Sequence, residues 1–144
     1  MKSARTQGFA VWQDFLLLVG RVLLGWIFVE SGWRKLMGMD AFILSLVNRR
    51  LPYPTVLGWI GAPVEFFGGL GLVLGAATRW ATLLIIVFTI VATLIGYRYW
   101  ELTDALAWRM QKSHFAKNLA IIGGLVVLFV TAGGRFSVDG WRRK

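Results

Sequence analysis

Four long, nearly continuous apolar stretches constrain this chain more than any other feature. They run Phe15–Gly32, Val56–Leu74, Trp80–Tyr97 and Phe115–Ala132, each 18 or 19 residues long. A helix of about 20 apolar residues crosses the ~30 Å hydrocarbon core of a bilayer. Backbone in lipid must satisfy its own hydrogen bonds, so each stretch is predicted to be a helix. This holds even for Trp80–Tyr97, whose β-branched residues favour a strand in water. The expected spans lie near 15–35, 56–75, 80–98 and 114–132, within a single transmembrane domain covering 1–144. The fold class is therefore all-α, an integral membrane four-helix bundle.

Composition narrows the function. Of 144 residues, 57% are hydrophobic and 16% charged, too few charges to clothe a soluble domain of this size. The net charge of +9 does not point to nucleic acid. The basic residues fall between and beyond the apolar runs, where they meet the headgroups of membrane lipids. Cysteine is absent, which excludes a disulfide framework, a thiol redox centre and iron–sulfur or cysteine–zinc sites. Redox chemistry would thus need a bound cofactor or a partner. The single histidine cannot give a haem two axial ligands, and no other metal-ligand set is evident. No phosphate-binding loop, dinucleotide fingerprint, zinc-protease motif or nucleophile elbow occurs, so no catalytic residue can be assigned.

The links carry further expectations. Arg21 interrupts the first apolar run, and Trp26, Glu30 and Trp33 follow without a small-residue cleavage pattern, so this run reads as a retained helix rather than a signal peptide. Between the first two spans, Ala41–Val47 is apolar but too short to cross. A short interfacial helix is predicted there, capped by Asp40 and ended by the turn Pro52-Tyr53-Pro54. Four spans put both ends of the chain, Ser3 and Lys144, on one side. Orientation is not set by charge. Lys2, Arg5, Arg79, Arg135, Arg142, Arg143 and Lys144 face one side, and Arg34, Lys35, Arg49, Arg50, Arg98, Arg109 and Lys112 the other, seven against seven.

Charges inside spans are costly and therefore informative. Glu65 is the midpoint of the second run, on a face with Gly61, Ala62, Gly68 and Gly69 that invites a neighbouring helix. Arg21, on a face with Gly25, Phe28 and Gly32, lies near the middle of the first. An intramembrane Arg21–Glu65 pair is expected, either fixing helix register or handling a ligand or proton; the other course for Arg21 is to snorkel to the interface. Glu30 lies on the opposite face from Arg21, one turn before Arg34, where a surface ion pair is the simple expectation. At that same membrane edge, Glu30, Arg34, Glu101, His114, Lys117 and Asn118 are candidates for a pocket mouth that would take a polar headgroup or a quinone ring. An ordinary wet interface explains the same cluster.

The order of these pieces resembles a known family. Arg21-Val-Leu-Leu-Gly-Trp-Ile-Phe, then Ser31-Gly-Trp-Arg-Lys-Leu36, are similar to the first helix of the DoxX family. So are Gly61-Ala-Pro-Val-Glu65, Gly68-Gly-Leu-Gly-Leu and Gly75 followed by Thr78-Arg79. In the last third, His114-Phe, Lys117-Asn118-Leu, Gly123-Gly-Leu and Gly133-Gly-Arg-Phe-Ser137-Val-Asp139 agree. The resemblance implies a multi-pass protein of the bacterial inner membrane, with an architecture like that of vitamin K epoxide reductase. It also implies association with membrane redox systems, including a subunit of thiosulfate:quinone oxidoreductase. Lacking cysteine, the chain departs from the thiol chemistry of vitamin K epoxide reductase. The expected role is an accessory subunit of a quinone-linked membrane redox complex, with quinone as the one cofactor in view and a redox protein or a second copy as partner. The alternatives are a non-catalytic scaffold or assembly factor, and a small proton or solute pathway.

Overall fold

A computed structural model describes residues 2–142, and the side chains of residues 11–142. The side chains of Ser3, Lys2 and Arg5, and the whole of Arg143 and Lys144, lie outside the described residues, as does the comparison of the two extreme ends. The chain runs α1 (Lys2–Met37), α2 (Met39–Asn48), α3 (Pro54–Leu74), α4 (Thr78–Gly96), a single 3-10 turn (Tyr99–Glu101), α5 (Ala105–Thr131) and α6 (Val138–Trp141). Helices α1, α3, α4 and α5 are long and apolar enough to cross a membrane, and no strand occurs among the described residues. The bundle predicted from the four runs is the observed fold. Asp14 at the start of the first span accepts a bond from the Arg135 amide beyond the fourth, so these two segments share one end of the bundle.

Local chemistry sets the boundaries. Pro54 opens α3 at its first turn, where a missing N–H costs nothing. Gly75, at φ 67°, ends it in the left-handed conformation. The short helix α2 forms, but its N-cap is Gly38 and no side chain caps it. Asp40 instead stands in the first turn, where its charge meets the positive end of the helix dipole. Helix α5 begins nine residues before the expected 114, because Asp104 accepts a bond from the Ala107 amide at 2.7 Å and caps a start that Arg109, Gln111 and Lys112 separate from the apolar run.

Glycines set the register of the bundle. A Cβ at Gly32 would lie 2.5 Å from the Phe66 backbone nitrogen, and one at Gly69 would lie 2.8 Å from the Val29 nitrogen. Only hydrogen fits at these two positions, so α1 and α3 approach backbone to backbone. In lipid the tails are as apolar as leucine, so close packing of this kind and interhelical polar contacts hold helices together. A small core of Phe28, Leu72, Ile85, Leu125 and Leu128 fills the junction of the four spans.

Candidate functional site

The α1–α3 register decides which charges meet. Because Gly32 faces Phe66, Glu65 stands level with the last turns of α1. Its partner is Lys35, whose Nζ donates to Glu65 Oε2 in a short ion pair. Glu65 is buried, and the Lys35 ammonium lies over the Phe42 ring of α2, 5.1 Å from its centre. A carboxylate near mid-helix in α3 is thus compensated by a lysine reaching in from the membrane edge.

Around this pair lies a cavity of about 120 Å³, room for about four waters or one small ring. Ser31 of α1, Thr89 of α4, Tyr97 at the end of α4, and Lys117 and Asn118 of α5 give it a polar lining. Phe28, Phe88, Ala92 and Ile121 complete it with apolar surface. Asn118 Nδ2 donates to Thr93 Oγ1 at 2.8 Å, which fixes the amide and ties α5 to α4. Tyr97 stacks on His114 with ring centres 5.3 Å apart. Most of the polar groups in the lining can donate, with one carboxylate among them.

The candidate residues therefore separate. Lys117 and Asn118 line the cavity, and His114 supports it from behind Tyr97. Glu30 bonds Arg34 at 2.7 Å as an exposed i,i+4 pair, and Glu101 bonds Arg98 at 3.2 Å, also exposed. Glu30, Arg34 and Glu101 do not line it, and the single mouth expected from the six residues is not formed. Helix spacing brought them to one edge, but not to one seam.

Arg21 and Glu65 are not partners. Arg21 lies against Gly75, ten residues beyond Glu65 and on the order of 15 Å along α3. Midpoint-to-midpoint alignment of the two apolar runs suggested a pair, but the glycine contacts slide α1 along α3. Buried Arg21 donates instead to the carbonyls of Gly133 at 2.6 Å and Phe136 at 2.7 Å. These belong to a strap, residues 132–141, that folds back over this end. Asp139 in the strap accepts from the Ala77 and Thr78 amides at 2.8 and 2.7 Å and from Thr78 Oγ1 at 2.8 Å. Those bonds hold Ala77 in a left-handed conformation, φ 46°, and cap α4.

Several of these residues were missed in the sequence. Lys35 fell just beyond the expected apolar run. Thr78, Thr82, Thr89 and Thr93 are all buried on one face of α4, a periodic stripe readable at helical spacing. Thr82 and Thr89 bond back to the carbonyls of Thr78 and Ile85, so their hydroxyls cost little in lipid. Tyr97 carried no periodic signal, since it follows the last turn of α4.

The sequence pattern of the DoxX family matches residues 16–98, which include Arg21, Lys35, Glu65 and Tyr97. Inner membrane protein YphA of Escherichia coli (strain K12) is 31% identical over 140 residues, 96% of this chain and 99% of that protein. Inner membrane protein YqjF of the same strain is 31% identical over 139 residues, 88% of this chain and 92% of that protein. No solved structure matches the chain, and the expected likeness to vitamin K epoxide reductase gains no support.

Proposed function

The chain belongs to the DoxX family and is a multi-pass protein of the inner membrane, and from that footing we propose that its bundle binds the ring of a membrane quinone as an accessory subunit of a redox complex. The observation that carries this reading is the donor-rich cavity around Glu65 and Lys35. Quinone oxygens are acceptors, and the cavity offers them the Lys35 and Lys117 ammonium groups, the Tyr97 hydroxyl and the second N–H of the Asn118 amide. Phe28 and Phe88 would supply apolar walls for the ring, and Ile27 and Ile121 extend that apolar lining. Glu65 and Lys35 form an ion pair at the cavity wall. A bound quinone would supply two-electron, two-proton redox chemistry, and with no cysteine in the sequence its electrons would have to come from a partner protein.

The strap argues against a continuous proton or solute path. At its end of the bundle Arg21 is committed to two carbonyls, and the groove beside it between α1 and α5 is walled mainly by Leu16, Leu17, Val127 and Leu128, which offer no polar relay. The test is direct. Protein extracted in mild detergent should retain quinone, detected by mass spectrometry of its organic extract, and should bind a short-tailed benzoquinone in titration. Lys117→Met combined with Asn118→Leu should lower that affinity about tenfold or more, the loss of roughly one to two hydrogen bonds to charged or polar groups. Wild-type protein that carries no quinone and binds none in titration overturns the reading.

A further inference from the structure

Another concavity, adjoining the cavity but more apolar, runs along the outside of the bundle between α2, α3 and α4. It is a groove of about 370 Å³, walled by Phe42 and Leu46 of α2, Ile60 and Val64 of α3, and Val87 and Val91 of α4. It starts near Leu84, deep in α4, and ends at Gly96 and Tyr97 at the membrane edge. No aspartate or glutamate lines it. Its only cationic groups are Lys35, already matched by Glu65, and Arg49.

Arg49, exposed at the head of the groove, is placed to meet an anion. Its Nη1 donates to the Gly96 carbonyl at 2.7 Å, its guanidinium lies 5.9 Å from the centre of the Tyr97 ring, and its own carbonyl accepts from Arg98 Nη2 at 3.0 Å. The Gly96 bond and the Tyr97 ring place the side chain across the head of the groove, and the Arg98 bond fixes the backbone that carries it. Among the described residues the ion pairs are Arg34–Glu30, Lys35–Glu65 and Arg98–Glu101, so Arg49 has no carboxylate opposite it. A guanidinium carries five donors in a planar fork that suits phosphate oxygens, and one is engaged here. An immobilised, uncompensated arginine at the polar end of an apolar groove fits an amphiphile with a negative head.

We infer that this groove holds a membrane phospholipid with an anionic headgroup, its phosphate on Arg49 and one acyl chain along α3 and α4. An acyl chain of any lipid would fill the apolar part, so the selective element is the headgroup. A zwitterionic lipid brings its own cation to Arg49, whereas phosphatidylglycerol does not. The site does not depend on the quinone reading, because Phe88, Ala92, Lys35 and Tyr97 form a wall shared by groove and cavity, and each can be filled without the other.

The test is native mass spectrometry of the full chain, equilibrated in micelles holding equal phosphatidylglycerol and phosphatidylcholine. Wild type should retain phosphatidylglycerol in preference by about fivefold, the scale of one basic residue meeting an anionic lipid. Arg49→Gln should abolish the preference, Arg49→Lys should restore part of it, and Arg50→Gln, outside the groove, should leave it intact. Equal retention of both lipids by wild type overturns the inference, as does an equal loss in Arg50→Gln. So does release of the phospholipid by a long-tailed quinone, which would make the groove a quinone-tail site. Should Arg49→Gln not fold, Val91→Trp fills the groove and keeps Arg49: retention of both lipids should fall, and unchanged retention overturns the site.

Discussion

The two ends of the bundle handle buried polarity in opposite ways. At the strap end, Arg21, Asp14 and Asp139 bond to backbone. Two carbonyls receive Arg21, the Arg135 amide meets Asp14, and two amides converge on Asp139. Such bonds have fixed geometry and tie the strap to the helices; the groove beside Arg21 is lined mainly by apolar side chains. At the other end, Lys35, Glu65, Lys117 and Asn118 belong to side chains on three different helices and enclose space. Both ends contain charge at a depth where charge is costly. One end uses it in bonds to backbone that tie the strap down, and the other gathers side-chain partners around a polar cavity. An intramembrane charge is thus informative only once its partner is known, because backbone partners indicate structure and side-chain partners around a void indicate a site.

The largest expected effect breaks the closed end. Arg21→Met removes two charge-assisted bonds and leaves the Gly133 and Phe136 carbonyls without donors. A loss of about 3 kcal/mol is expected, read as unfolding in mixed micelles. Because Arg21 and Glu65 stand far apart, Arg21→Met and Glu65→Gln should add within about 0.5 kcal/mol. A double mutant much less damaged than the sum would restore the direct pair and overturn the register described above.

That register marks the limit of what the sequence revealed. Four helices, the short α2 and the polar depth of Glu65 follow from hydropathy and from proline and glycine placement, which act locally. The partner of Glu65 depends on how far α1 slides along α3, and that is set by Gly25, Gly32 and Gly69 against Phe66, Val73 and Val29. A small residue announces a close contact but not its opposite number. The strap was hidden for a related reason. The run Gly133-Gly-Arg-Phe-Ser-Val-Asp139 has no hydropathy signal, and its function lies in backbone groups that every residue carries.

At the open end, the Lys35–Glu65 pair should behave as a coupled unit. Lys35→Met and Glu65→Gln should each cost about 2 kcal/mol, less than a fully buried pair because Lys35 is partly exposed, and the double mutant should recover about 1 kcal/mol of the sum. Strict additivity would mean that the two charges do not compensate one another. A smaller loss is expected from Asp139→Ala, which uncaps α4 and frees Ala77: about 1 kcal/mol, with faster amide exchange at residues 77–80. Unchanged exchange there would show that the strap is an ornament of the fold and not its closure.

The smallest effect is expected at Glu30, and it tests where the open end stops being a site. Glu30 and Arg34 lie one turn apart on α1, both well exposed, and neither lines the cavity. An exposed i,i+4 pair contributes about 0.3–0.5 kcal/mol, and ions at a headgroup surface screen even that. Glu30→Gln should therefore leave both the unfolding midpoint and benzoquinone affinity within error of wild type. Lys117, on the same membrane side and also charged, differs in lining the cavity, so Lys117→Met alone should weaken benzoquinone binding at unchanged stability. If Glu30→Gln weakened binding as much as Lys117→Met, charge at this edge would act on the ligand collectively through the headgroup region. The boundary drawn between surface pairs and cavity residues would then be wrong, and the site would extend over the whole polar edge of the bundle.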